Sequence, residues 1–206
     1  MVRNKRNFFI RWVLHAYVLC TIKRHLHEIN FHKIETDPDK SILLLANHFS
    51  YWDSLILYIV TRKLFKRKYH VMVREDTTVK LHYLKYAGAF SVNKKSRDML
   101  QSLDYAAELL QSQQNLVLIF PQGKLYSNFV SDINFEKGAT KVMAKAEGKF
   151  QLIFAATFIQ YMRHKKPTVT VYLENAASAT KTQDELKNAY QQFYEKAKAE
   201  QTEIII

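Results

Sequence analysis

Ile42-Leu43-Leu44-Leu45-Ala46 runs directly into Asn47-His48-Phe49-Ser50-Tyr51-Trp52-Asp53, and the change of pattern between them decides the fold. An apolar run of this length, cut off by polar residues, reads as a strand buried on both faces, as in a largely parallel sheet. From Trp52 to Val60 the apolar residues recur at helical spacing, so Ser50 is read as the N-cap and Asp53 falls in the first helical turn. Strand, turn and helix then bring the His48 imidazole and the Asp53 carboxylate together just past a strand's carboxyl end, where open α/β sheets bind their ligands. A purely structural reading fits as well: Ser50-x-x-Asp53 is also a capping-box pattern, worth about 1 kcal/mol to a helix start.

Outward from this unit, Thr36-Asp37-Pro38-Asp39 is a turn by composition. The stretch from His27 to Glu35 alternates Ile29 and Phe31 with polar residues and reads as a short strand. Further strands are expected at Val71-Met72-Val73, Phe90 to Asn93, Asn115 to Phe120, Gln151 to Ile159 and Thr168 to Leu173. Helices are expected over Thr78 to Ala87, closed by Gly88, and over residues 97–113, where Met99, Leu100, Leu103, Ala106, Ala107 and Leu110 form a core-facing stripe. Two more are expected over Gly138 to Glu147, closed by Gly148, and over Asp184 to Ala199. No repeat or long linker divides the chain. Residues 28–206 are therefore read as one α/β domain, a mixed, mainly parallel sheet flanked by helices, and residues 1–27 as an N-terminal helix.

Three blocks in order carry a family resemblance. Asn47-His48-x-Ser50-x-x-Asp53 resembles the first motif of the glycerolipid acyltransferases, which include 1-acylglycerol-3-phosphate acyltransferase. Gly88-Ala89-Phe90-Ser91-Val92-Asn93-Lys94 is similar to the second motif and Phe120-Pro121-Gln122-Gly123-Lys124 to the third; Phe135-x-Lys137-Gly138-Ala139 resembles the stretch that usually follows. The resemblance covers about residues 28–160. It implies transfer of a fatty acyl group from an acyl-thioester, on coenzyme A or an acyl carrier protein, to a hydroxyl of a lysolipid, as in phospholipid biosynthesis. It implies His48 as general base with Asp53 fixing its tautomer, Asn47 and Ser50 supporting the motif, and Lys94, Phe120, Pro121, Gln122, Gly123, Lys124, Lys137 and Gly138 on the acceptor or donor. An imidazole, with an ordinary pKa of about 6.5, suits such a base at neutral pH. The basic run Arg62-Lys63-Leu64-Phe65-Lys66-Arg67-Lys68 reads as a solvated helix end and, if beside the site, as a seat for a polyanionic acyl carrier.

The chain departs from the family's pattern at several places. Lys94 stands where the second motif usually carries an arginine, keeping the charge without the bidentate fork. In the third motif Gln122 replaces glutamate, Lys124 replaces threonine and Leu125 replaces arginine, and the proline usual near the start of the Gln151 strand is missing. These departures leave three acceptors open: a lysolipid such as 1-acylglycerol-3-phosphate, a lysolipid with an amino-acid or sugar headgroup, or a lipid bound by a catalytically inactive relative.

Residues 1–27 set the relation to the membrane. Arg3, Lys5 and Arg6 precede an apolar, aromatic stretch from Phe8 to Ile22 that is broken by Arg11 and His15 on one helical face. It falls short of the roughly 20 apolar residues needed to span a bilayer, and Arg11 further disfavours spanning. No small-residue cleavage site follows, so a signal peptide is a poor reading. The expectation is an interfacial helix, with Phe8, Phe9, Arg11, Trp12 and Tyr17 contacting an anionic membrane surface, and a peripheral or monotopic protein on the membrane's cytoplasmic face. The alternative is an ordinary helix packed on the domain.

With 206 residues, 48% of them hydrophobic, the chain can bury a full core. Thirty-one Lys and Arg against 19 acidic residues give a formal charge of +12, which favours anionic partners. A nucleic-acid partner is not expected, because no groove-reading or base-stacking signature accompanies the charge. The single cysteine, Cys20, precludes an intramolecular disulfide. Four glycines leave no dinucleotide fingerprint or phosphate loop, the histidines lack metal-ligand spacing, and no metal or cofactor is expected.

Overall fold

The computed structural model describes residues 2–5, 7–75, 82–92, 98–176 and 182–205. Seven strands form one sheet in the order β1-β7-β6-β2-β5-β3-β4: β1 (Glu28–Phe31), β2 (Ser41–Ala46), β3 (Lys68–Arg74), β4 (Ala89–Val92), β5 (Asn115–Ile119), β6 (Phe150–Gln160) and β7 (Thr168–Asn175). All neighbours are parallel except β6 and β7, which are antiparallel. The sheet is thus mixed and mainly parallel, as read from the sequence, with helices on both faces.

The central strand explains the rest. Every residue of β2 is buried, because its alternate side chains enter two different cores. Leu43 and Leu45 pack with α3 (Asp98–Leu109), α4 (Gly138–Lys145) and α5 (Gln183–Thr202). Ile42, Leu44 and Ala46 pack with α1 (Phe8–His25) and α2 (Trp52–Val60). Truncating a leucine such as Leu43 to alanine would cost about 2–5 kcal/mol.

Local chemistry fixes the element ends. Asn7 caps α1 through its side chain, and Thr182 with Glu185 forms a capping box at α5. After α2 a π-helical turn, Thr61–Phe65, ends at Lys66 in the left-handed region. The expected helix from Thr78 is a 3-10 turn over His82–Ala87, its earlier part lying outside the described residues. Gly88 follows at φ +100°, and a Cβ there would sit 2.2 Å from the Tyr69 carbonyl oxygen, so only glycine fits.

Two expectations are corrected. The strand expected from His27 to Glu35 is confined to Glu28–Phe31. The end of the basic run does not lie beside the site: Lys68 pairs with Asn115 at the amino edge of the sheet, whereas His48 follows the carboxyl end of β2, roughly 20 Å away along the strand direction. Arg67 serves the fold there, its Nη2 donating to the carbonyls of Asp37 (3.1 Å) and Pro38 (3.0 Å).

The N-terminal segment is tied to the sheet. Ser91 N–H donates to Val2 O (2.9 Å) and Val2 N–H to Ser91 Oγ (2.6 Å), so Val2 is held on edge strand β4, while Lys5 N–H donates to Lys85 O (3.0 Å) in the 3-10 turn. The Asn4 side chain bridges buried His70 on β3 and the Tyr105 hydroxyl on α3.

Candidate active site

Where β2 ends, the Asn47 side chain extends its ladder: Asn47 Nδ2 donates to Thr157 O (3.0 Å) and Thr157 N–H donates to Asn47 Oδ1 (2.8 Å). The chain then turns through 48–51 into α2. Tyr51, not Ser50, occupies the N-cap position and makes no side-chain cap bond. Ser50 sits one residue earlier, where its Oγ accepts from Trp52 N–H (3.1 Å). The reason is Asp53, which draws the turn around itself.

Asp53 is fully buried and accepts four hydrogen bonds. Its Oδ2 takes the N–H groups of Phe49 (2.7 Å) and Ser50 (2.9 Å) together with His48 Nδ1 (2.8 Å), and its Oδ1 takes the Ser50 hydroxyl (2.9 Å). Backbone N–H groups are obligate donors, so Asp53 stands as an acceptor and His48 carries its proton on Nδ1. Nε2 is left with a free lone pair, the arrangement a general base requires.

The third motif completes the holder. The His48 ring stacks on Phe120 with centroids 4.1 Å apart. Gln122, almost entirely buried, accepts the His48 N–H through Oε1 at 2.6 Å, and Tyr126 N–H donates to His48 O at 3.0 Å. The turn between them uses Gly123 at φ +65°. Gln122, expected on acceptor or donor, is thus placed on the histidine's own backbone, a contact that the sequence reading missed along with those of Tyr126 and Thr157.

A cavity of about 1080 Å³ opens at this point. His48, Ser50, Phe120, Pro121, Gly123, Lys124, Lys137 and Gly138 line it. His48's side chain is 24% exposed, so its ring edge is accessible to a ligand. Lys94 lies outside the described residues. Arg11, expected at the membrane, lines the cavity instead, because α1 packs this face on α2 while Phe8, Phe9, Trp12 and Tyr17 point outward.

Next to Arg11, burial and then the charge of Arg62 lower the pKa of His15. Burial also raises that of Tyr58, against the opposing charges of Arg62 and Arg11. The His15–Tyr58 contact (3.2 Å) is therefore a hydrogen bond between neutral groups. Among the described residues no cluster of His, Cys, Asp and Glu is placed to hold a metal ion.

A profile of the family described as Acyltransferase matches residues 28–173. The chain belongs to the acyltransferase family. Comparison with curated proteins gives no match. Among solved structures, the fold is similar to that of the 1-acyl-sn-glycerophosphate (LPA) acyltransferase PlsC from Thermotoga maritima. The TM-score is 0.61 at 13% identity, over 92% of this chain and 79% of that one. The matched region of this acyltransferase holds the whole His48–Asp53 turn and the Phe120–Lys124 turn, while α1 and all of α5 lie outside it.

Proposed function

We propose that this acyltransferase moves a fatty acyl group from an acyl-thioester to a hydroxyl of a lysolipid, with His48 as the base. The carrying observation is the imidazole fixed through Nδ1 on a buried carboxylate, with Nε2 free at a large cavity. His48 Nε2 takes the hydroxyl proton as the oxygen attacks the thioester carbonyl. The C–S bond then breaks, and the proton passes from the imidazolium to the leaving thiolate, giving an ester and a free thiol without an acyl-enzyme. Asp53 stabilises the imidazolium in between.

An anionic headgroup is favoured. Lys124, Lys137 and Lys141 line the cavity, and Gln122 contacts the His48 N–H, so its departure from glutamate bears on the histidine more than on the acceptor. The substrate for which the Thermotoga protein is named, 1-acyl-sn-glycerophosphate, fits that charge. A donor on coenzyme A or on an acyl carrier protein is polyanionic in either case.

The same reading puts α1 on a membrane. Among the described residues no helix is long and apolar enough to cross one. Yet Phe9 (69% exposed), Trp12 (62%) and Tyr17 (52%) share an outward stripe with Val13, and an apolar stripe of this kind is the mark of an interfacial partner.

The test of catalysis is His48→Ala in the purified protein, given an acyl-thioester and either lysophosphatidic acid or a lysolipid with an uncharged headgroup. Transfer should fall by about 10²–10⁴-fold with the melting temperature preserved. Near-wild-type turnover by a folded variant refutes the base, and a preference for the uncharged headgroup refutes the anionic acceptor.

A further inference from the structure

The cavity reaches both faces of the sheet. Consecutive residues of β3 line it, and in a strand consecutive side chains point to opposite faces. Val71 and Val73 face the α1/α2 core with Leu14, Val18, Leu55 and Ala89, whose partner in the ladder is Val71. Met72 faces the other core, with Met99, Leu103, Phe135 and Ala139. Between these two apolar groups, past the carboxyl ends of β2 and β5, lie His48 and Phe120. A volume of about 1080 Å³ is at the top of the range usual for a site holding one small ligand, roughly 300–1,000 Å³.

Transfer to a lysolipid brings two alkyl chains to one reacting carbon, the donor's and the acceptor's own. We propose, on the basis of the acyl transfer argued above, that the cavity is two chain-binding arms meeting at His48, one on each face of the sheet. The α1/α2 arm takes the lysolipid's chain, because it runs beneath the helix whose outer face is exposed and aromatic. The α3/α4 arm takes the thioester's acyl chain, because Lys137 and Lys141 on α4's first turns and just before it stand at its rim and suit a water-borne, polyanionic carrier. The sheet keeps the two chains apart while their polar ends converge on one imidazole.

Binding tests this without turnover. The probes are an S-alkyl thioether analogue of acyl-coenzyme A and lysophosphatidic acid, each with 8- and 16-carbon chains, titrated alone and together. The wild type should bind both long-chain probes at once. Ala139→Leu should weaken the 16-carbon thioether at least tenfold relative to the 8-carbon one and leave lysophosphatidic acid unaffected; Ala89→Leu should do the reverse. Met99→Trp and Val73→Phe serve as second variants on each arm if either protein fails to fold. Mutual displacement of the long-chain probes, or loss of the same probe from substitutions on both faces, overturns the two arms. Absence of acyl transfer by the wild type, with the binding pattern intact, would instead overturn the acyl-transfer reading.

Discussion

Asp53→Asn separates charge from geometry. Of the four groups that Asp53 accepts, Phe49 N–H, Ser50 N–H and His48 Nδ1 are donors, and only the Ser50 hydroxyl can also accept. An asparagine therefore has one good orientation, with Nδ2 at the position of Oδ1, donating to Ser50 Oγ, and its oxygen at the position of Oδ2. The turn and the histidine tautomer survive, and the negative charge does not. A hydrogen bond to a charged group is worth about 1.5–3 kcal/mol and a neutral one about 0.5–1.5. Downgrading the three bonds other than the one to His48 costs about 3 kcal/mol, or about 6–12 °C for a domain of this size. The imidazolium formed in the transition state also loses its charged partner in a buried setting, which corresponds to about a 10- to 10³-fold loss of turnover. The assay pairs a thermal melt with the initial rate of acyl transfer at saturating donor. A variant that melts at the expected lower temperature yet turns over within about twofold of the wild type would show that Asp53 only starts α2.

Gln122→Ala should leave the His48 N–H unpaired, costing about 1–3 kcal/mol and lowering kcat with little change in the acceptor's KM; Gln122→Glu, which offers the same acceptor oxygen, should restore kcat. A raised KM with an unchanged kcat would put Gln122 on the acceptor. Gly88→Ala should lose at least about 2 kcal/mol in a melt, from the Tyr69 carbonyl clash and the φ of +100° together; a stability equal to wild type would show that the β3–β4 edge can yield. Phe9→Ser with Trp12→Ser should release the protein from anionic vesicles in a sedimentation assay without lowering its melting temperature, since both side chains are exposed; unchanged sedimentation counts against the interfacial helix.

What was legible in the sequence is what neighbours along the chain decide. Ile42 to Ala46 could be read as a central strand because burial on both faces removes the polar alternation of a half-exposed one. His48 and Asp53 could be paired because one strand-turn-helix unit holds both. The supports of that pair were not legible, since they come from far along the chain: Gln122 reaches the His48 N–H across 74 residues, and Asn47 meets Thr157 across 110. A buried glutamine on a backbone N–H leaves no periodic trace. The basic run misled for a related reason: its sequence places it at a helix end, and strand direction decides which end of the sheet that is.

Helix α1 shows where periodicity itself gives no answer. Its outward face, Phe9, Trp12, Val13 and Tyr17, is as apolar as its inward one, Leu14, Val18 and Ile22, so the pattern cannot say which side meets the domain. The inward side is identified instead by its polar members: Arg11 lines the cavity, and His15 meets the Tyr58 hydroxyl in a contact that burial keeps neutral. The helix is thus both a packed element and, on its other face, a candidate membrane surface. Removing residues 1–22 would accordingly take away Val18, Ile22 and the Asn4 bridge to His70 along with the aromatic stripe. A protein lost from the membrane after such a deletion has also lost the roof of its cavity, so only substitutions confined to the outward face can separate the two roles.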